Sequence, residues 1–345
     1  MVNSADVGLH NALRQLLYAA LAGVVLASVP GSSAAAGTDD SWTATGFGLG
    51  VNGVSTGLGL KVASADEESA PAATAGGGSQ SAFTRYFNEW FVRSDAAKES
   101  QPHWMTPVVT VTPRLEQEYR YDQLWQYKAN GSSVQNYGFN KGLELIPTEQ
   151  TEVIIAVPGY VKETNAKGNV TEGWADESLL LKIRMLSENE EHGNYIVTGF
   201  IGASIPTGTT ALGSPWANNQ TIWTPTIAGG KGWGTRESGF DIQSTLSISY
   251  GDVNQTALGQ PIVWNTTFQA HIFDKLWPAI EVNYTHYEQG ENAGKSQTVI
   301  TTELILGRYE LIDRVKFVLG VAYEQPVSEF RTFGYAWIFT ARAPF

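Results

Sequence analysis

The sequence predicts an all-β fold: a transmembrane antiparallel up-and-down β-barrel of about twelve strands with a short N-terminal helix. Three observations carry this. From Thr110 onward apolar and polar residues alternate with period two, and successive side chains of a strand point to opposite faces. The composition suits a chain whose outside faces something other than water: 16% charged, 11% aromatic and 36 Gly in 345 residues, against roughly 25% charged and roughly 7% Gly in soluble domains. The N-terminus reads as an export segment. No later stretch reaches the ~20 apolar residues of a spanning helix. Only helices and closed barrels satisfy every backbone polar group in lipid, so an exported membrane protein without such a helix must be a barrel.

The elements follow in order. Arg14 precedes the mostly apolar run from Leu16 to Pro30, and small residues continue to Ala34-Ala35-Ala36. A positive start, a short apolar stretch and an A-x-A site mark a secretory signal peptide over residues 1–36. Residues 37–105 form a Gly- and Ala-rich N-terminal segment: Thr45 to Leu60 is repetitive in Gly, and Ala65 to Ser81 reads as a linker. Within it, residues 81–94 place Phe83, Phe87, Trp90 and Phe91 at helical spacing. This short amphipathic helix is expected to cap one barrel end; the alternative is a plug inside the lumen. The barrel itself is assigned to 106–345.

Strands are expected near 114–127, 134–146, 151–160, 174–186, 194–205, 221–230, 239–250, 261–272, 276–287, 297–308, 314–324 and 329–345. The alternation is cleanest where Ile262, Trp264, Thr266, Phe268, Ala270 and Ile272 oppose Val263, Asn265, Thr267, Gln269 and His271. Most segments are near the ~10 residues that cross an apolar band at a tilt. Loop lengths alternate. Val161–Gly173, Pro206–Gln220, Gly251–Gln260 and Glu288–Ser296 are long and are expected outside the cell; Asp274-Lys275 is a tight turn expected on the periplasmic side. In the last strand Phe333, Tyr335, Trp337, Phe339, Ala341, Ala343 and Phe345 share one face. Such an aromatic edge with no polar tail invites aggregation unless it is paired, and in a barrel it pairs with the first strand.

The net charge is −12 and there is no Cys. The acidic balance argues against nucleic-acid binding; the absence of Cys excludes disulfides, thiolate zinc sites and a Cys nucleophile. Gly48 to Gly53 fits G-x-G-x-x-G without the strand, helix and acid that a dinucleotide site needs. A Ser–His dyad of a barrel lipase needs both residues on one face; His286 points outward, and no Ser is expected on the matching face of the neighbouring strands. No catalytic residue, metal ligand or cofactor is assigned. The inward face is more informative. It is expected to hold Glu116, Glu118, Arg120, Asp122, Glu144, Lys182, Arg184, Asp241, Gln243, Gln269, His271, Glu281, Asn283, Glu303, Lys316, Glu324 and Arg342. These either pair across strands and close the barrel or line a pore and set its selectivity; acids outnumber bases, so an open pore would favour cations or neutral solutes.

The stretch Glu177–Gly208 (ESLLLKIRMLSENEEHGNYIVTGFIGASIPTG), the strand Asp241–Tyr250, Trp264–Phe273 and the ending Phe339–Phe345 resemble the outer-membrane transporters of the phenol-degradation meta-pathway type. The resemblance covers roughly residues 105–345. It implies a passive channel in the outer membrane of a Gram-negative-type bacterium, with aromatic or hydrophobic compounds as its cargo. The terminal Phe345 after alternating aromatics resembles the signal read by the barrel assembly machinery. The expected partners are that machinery, outer-membrane lipid and lipopolysaccharide, and small-molecule solutes. Two rival functions stay open: an outer-membrane lipase or deacylase, and a structural barrel with a filled lumen.

Overall fold

The structure, a computed structural model, describes residues 82–139, 141–213, 215–251 and 258–345. The export segment and the Gly-rich repeat lie outside the described residues. Two helices come first, α1 (Ala82–Asn88) and α2 (Trp90–Glu99). After an extended stretch the wall begins with β1 (Glu118–Tyr127). The second crossing is broken into β2 (Ser133–Gly138) and β3 (Gly142–Thr148). The third is β4 (Thr151–Ala156) and β5 (Tyr160–Thr164), and the fourth is β6 (Val170–Trp174) and β7 (Glu177–Glu188). Then come β8 (Tyr195–Ile205), β9 (Ile222–Gly234), β10 (Gly239–Ile248) with the short β11 (Tyr250–Gly251), and β12 (Pro261–His271). The chain ends with β13 (Leu276–Tyr287), β14 (Ser296–Ile312), β15 (Val315–Pro326) and β16 (Tyr335–Pro344).

Every neighbouring pair is antiparallel, and β16 pairs with β1 from Glu118 opposite Pro344 to Tyr127 opposite Tyr335. The sheet therefore closes into a barrel of twelve crossings, with no edge left to aggregate. The breaks in the second to fourth crossings sit side by side. Pro158, between β4 and β5, cannot donate to a ladder. The wall stays bonded through the break, because Val157 N donates to Lys141 O at 2.9 Å and Ala175 N to Gly159 O at 2.8 Å.

One end of the barrel carries the tight turns and the C-terminus; we call it the terminal end, and the other the loop end. At Phe273 and Asp274 the backbone turns through φ of 55° and 51°, inside a three-residue hairpin connection closed by the two bonds between Ile272 and Leu276 at 2.9 and 3.1 Å. At the loop end, Val161–Gly173 is not the expected loop. It continues the wall as the β5–β6 hairpin, and Asn165 Oδ1 closes its turn by accepting from Lys167 N and Asn169 N, both at 2.9 Å. Pro206–Gln220 folds back over the mouth: Leu212 and Trp216 are buried. Asp176 anchors this flap, accepting from Gly208 N at 2.8 Å and Asn218 N at 2.7 Å.

The two faces of the wall differ as the alternation predicts. Outward positions are apolar and open, among them Trp264 at 56%, Ile280 at 50% and Val321 at 43% exposure. Inward positions are buried; polar ones such as Asp241, Gln269 and Glu281 stand beside apolar ones such as Ile305, Val318 and Ile338. Phe333 departs from its expected place on the outward face of the last strand; it precedes β16 and packs into the buried cluster at the loop-end mouth. An apolar belt facing outward is stable only against an apolar medium. Leu319→Arg, outward on β15, should cost roughly 2–4 kcal/mol in a bilayer and abolish the compact, heat-modifiable band on gels. Lys316→Ala, near the exposed turn, should leave that band intact.

Candidate functional site: an occupied lumen

The space enclosed by the wall is filled by residues 101–117. All of them except His103 and Val111 are buried. The reason they form no strand is local: Pro102, Pro107 and Pro113 punctuate a Val- and Thr-rich run, and proline cannot donate to a ladder. The segment enters from the terminal end, reaches into the lumen and returns to β1. Gln101 ties the two limbs together, its Nε2 donating to Leu115 O at 2.8 Å and its Oε1 accepting from Leu115 N at 2.9 Å.

Its backbone is bound by side chains of the wall. Met105 N donates to Gln269 Oε1 at 3.1 Å, and Met105 O accepts from Gln243 Nε2 at 3.0 Å. Val108 N donates to Glu303 Oε2 at 2.7 Å. Val109 N and Thr110 N donate to the two oxygens of Glu281 at 2.8 and 2.6 Å. Arg342 donates to Thr106 O and Pro107 O at 2.5 and 3.0 Å, and Arg120 to Val108 O at 2.6 Å. On the return limb Pro113 O accepts from Thr198 Oγ1 at 2.6 Å, Arg114 O from Lys182 Nζ at 3.1 Å, and Glu116 N donates to Glu152 Oε2 at 2.5 Å. Hydrogen bonds to charged groups contribute about 1.5–3 kcal/mol each, and a buried polar group left without a partner costs about as much. The segment can leave only if water takes its place.

Trp104 is the anchor at the entrance. It is 1% exposed, and its Nε1 donates to Asn194 Oδ1 at 2.8 Å. The indole lies flat on β9 because two inward positions there are glycines: a Cβ at Gly230 would stand 2.5 Å from a Trp104 ring carbon, and one at Gly232 2.5 Å from its Nε1. Trp104 O accepts from Arg114 and from Arg308, the latter also bound to Asp274 at 2.6 Å. Beside it, Glu190 accepts from His103 N at 2.6 Å and faces His103 Nδ1 at 2.8 Å. Burial alone would raise the Glu190 carboxyl, but these bonds hold it down to about 2.

The helices cross the terminal end beneath this entrance and do not enter the lumen. Tyr86 and Arg93 bond to Pro147 O at 2.9 and 3.2 Å, Arg314 to Asp95 at 2.5 Å, and Lys98 Nζ to Phe345 O at 2.8 Å. Phe83 and Phe87 point away from the barrel. The lumen is thus plugged by the stretch that follows the helix.

The expected lining residues divide accordingly. Glu118, Arg120, Asp122, Glu144, Lys182, Asp241, Gln243, Gln269, His271, Glu281 and Glu303 are buried and face inward. Cross-strand charge pairing, one of the two roles considered for them, is confined to Lys182 with Glu152 at 2.9 Å among the described residues; Arg120 bonds Asp122 on its own strand at 2.7 Å. Glu116 is not wall at all: it belongs to the plug and pairs with Arg114 at 2.8 Å. Arg184 sits at the rim, clamping Ala97 O at 2.8 Å and Glu149 O at 2.5 Å. Lys316 has inward parity but lies exposed near the β14–β15 turn, short of the lumen. Asn283 and Glu324 are half-buried toward the loop end, above the plug. Sequence reading missed Glu152, Thr198, Asn194 and Arg308. Their signal was weak: Glu152 is a lone charge at the alternating positions of β4, Thr198 shares those of β8 with Ser204, and Asn194 and Arg308 stand where the backbone leaves strand geometry, at φ of 52° and 57°, so parity does not place them.

One outward feature also differs from expectation. β14 begins at Ser296, directly opposite His286, and Ser296 Oγ lies 2.8 Å from His286 Nδ1. A Ser–His pair therefore does exist on the outer face. Ser296 Oγ also accepts from Tyr284 OH at 2.9 Å, and Glu288 stands 3.7 Å from His286 Nε2, beyond a hydrogen bond. Nucleophilic catalysis needs a base oriented by a third group, and here the trio closes a cross-strand contact at the rim.

No protein-family profile and no curated protein matches the sequence. Solved structures of barrels do. The KdgM porin is 7% identical over 66% of this chain and 99% of its own, with a TM-score of 0.37. The outer membrane channel from Pseudomonas putida F1 is 11% identical over 67% of this chain and 96% of its own, at 0.44. The NanC porin is 9% identical over 65% and 98%, at 0.37.

Two outcomes test the occupied lumen. Gly230→Val should drive Trp104 off β9, so that Met105→Cys in that background reacts with a soluble maleimide at least tenfold faster than Met105→Cys alone, the heat-modifiable band being retained. For Glu190 the depressed carboxyl is stabilising above its ordinary 4.5 and loses that effect as pH falls toward about 2. Protection of Met105→Cys should therefore weaken across that window, and Glu190→Gln should give the weakened level already at neutral pH.

Proposed function

We propose that this protein is an outer-membrane channel for small solutes, closed by its own residues 101–117 and opened when that segment withdraws. The observation that carries the reading is where the buried charges make their contacts. Glu281 and Arg342 direct most of their bonds to the backbone of the segment, and Glu303, beside Glu281, binds Val108 N. A barrel built only as a scaffold is better filled by apolar side chains, because replacing buried ion pairs with well-packed hydrophobic residues is often neutral or stabilising by about 1–4 kcal/mol. A charged wall is costly when dry and inexpensive when wet. It suits a lumen that is filled with water for part of the time.

The apolar outer belt and polar inner face support a bilayer setting. In it the terminal end faces the periplasm and the flap over the mouth faces outside. Export through residues 1–36, folding by the barrel assembly machinery and contact with lipid and lipopolysaccharide belong to the same reading. The resemblance to meta-pathway transporters suggests aromatic or hydrophobic cargo, whereas the plugged half of the lumen is lined for polar solutes. A permanently filled structural barrel is the second reading, favoured by the buried Met105, Val108 and Val109 within the apolar cluster.

Planar-bilayer recordings separate the two. The purified wild type should show rare openings. Glu281→Gln with Glu303→Gln replaces charge-assisted bonds by neutral ones and should raise the open probability at least tenfold with the barrel band unchanged. Silence in both proteins, under voltage and in high salt, would establish the structural barrel. Impermeant thiol reagents on whole cells should label a Cys at Asn169 or Glu291 and spare one at Asp274; the reverse pattern would invert the orientation.

A further inference from the structure

We propose that the clamp formed by Glu281, Glu303, Arg120 and Arg342 is the solute-selecting site of the open channel, and that it takes zwitterionic solutes of peptide type: free amino acids and short peptides. The inference rests on the channel reading and deepens it. The plug is an internal ligand, and the chemistry that holds it states what the site recognises.

The bound backbone is nearly continuous. Moving along the segment, the carbonyls of Thr106 and Pro107 are taken by Arg342, at 2.5 and 3.0 Å. The N–H of Val108 is taken by Glu303 at 2.7 Å and its carbonyl by Arg120 at 2.6 Å. The N–H groups of Val109 and Thr110 go to Glu281 at 2.8 and 2.6 Å. Donors of the ligand meet carboxylates, and acceptors meet guanidiniums. These four side chains are 1 to 6% exposed. They are built as a unit by register. Arg120 and Arg342 stand directly opposite each other on β1 and β16. Glu281 on β13 faces Thr301, two residues before Glu303 on β14. Between the acidic and the basic pair runs β15, whose inward Gly320 and Ala322 are small; the side chains of Thr340 and Ile305 from the two neighbouring strands close over Gly320.

Withdrawal of the plug leaves two carboxyl groups and two guanidiniums facing a narrow space with a fixed polarity. A solute carrying an ammonium or N–H groups on one side and a carboxylate or carbonyl on the other offers donors to the acidic pair and acceptors to the basic pair, as the plug does. A simple anion satisfies only the arginines and leaves the acids bare; a simple cation does the opposite. A phenol offers one hydroxyl and satisfies neither pair. Since leaving a buried charge unpaired carries a larger penalty than pairing gains, discrimination comes mainly from the unmatched half. The neighbouring Thr110 Oγ1 and Thr301 Oγ1 are buried with no partner among the described residues, which adds polar capacity beside the clamp.

The chain lacks Cys, so Val109→Cys reports withdrawal of the plug without background, and it keeps the backbone N–H that Glu281 binds. The probes are triglycine, succinate, choline and phenol at equal concentration, and the readout is the rate of maleimide labelling of folded protein. Triglycine is expected to raise the rate at least tenfold by competing for the clamp, with the other three near the buffer rate. In an Arg342→Lys background, chosen because it keeps the charge and loses the two-pronged geometry, the triglycine concentration for half effect should rise at least tenfold. Labelling that occurs but responds equally to all four probes overturns the solute class and leaves the channel intact. Labelling that never occurs, together with the absence of conductance, overturns the channel itself. A response to phenol alone replaces the class by the aromatic one.

Discussion

The structure depends on one constraint: a backbone polar group shut away from water must find a partner. The wall meets it by closure, β16 pairing with β1 over its whole length, because an open edge in lipid would leave a row of bare N–H and C=O groups. Residues 101–117 meet it differently. They lie inside a barrel whose ladders are already complete, so no strand is free to accept them. Their N–H and C=O groups are satisfied by side chains of the wall instead, and that requirement accounts for the acids, amides and arginines spaced around the lumen.

The same constraint explains the asymmetry of the interior. In the terminal half, where backbone fills the space, the wall supplies charge. Toward the loop end the filling is side chain rather than backbone: Leu124, Val134, Val161, Trp216 and Phe333 belong to an apolar cluster that continues down to Met105, Val108 and Val109 of the plug. The two closures differ in kind. The upper one is a flap of the wall's own connections, anchored on Asp176. The lower one is a separate segment, held by charge-assisted bonds and wedged by Trp104 against glycine backbone.

Much of the barrel was legible because it is written in local order. Period-two alternation placed the crossings and gave the parity of Asp241, Gln243, Gln269 and Glu281 without any knowledge of neighbours. It failed where parity alone does not decide burial. Lys316 has the parity of the lumen but sits beyond it, since position along the barrel axis depends on where the turn falls. Glu116 continues the parity of β1 backwards, yet the wall has already ended and the residue belongs to the plug. Val161–Gly173 looked like a loop because its polar residues and Gly168 suggested one, whereas Asn165 turns the strands tightly enough for them to continue.

By itself the sequence determined the class of fold, the two faces of each strand and the concentration of charge on the inner one, since each follows from residues within a few positions of each other. What those charges hold was decided only by the tertiary structure. The bonds from Glu281 and Glu303 to Val108, Val109 and Thr110 span 171 to 195 residues of chain, and those from Arg342 to Thr106 and Pro107 span 236 and 235. The Val- and Thr-rich run between Pro107 and Pro113 reads in sequence as the start of the alternating pattern, from Thr110, and as part of the barrel. Nothing local says that it lies inside the barrel, because its partners are assembled only when the last strand closes on the first.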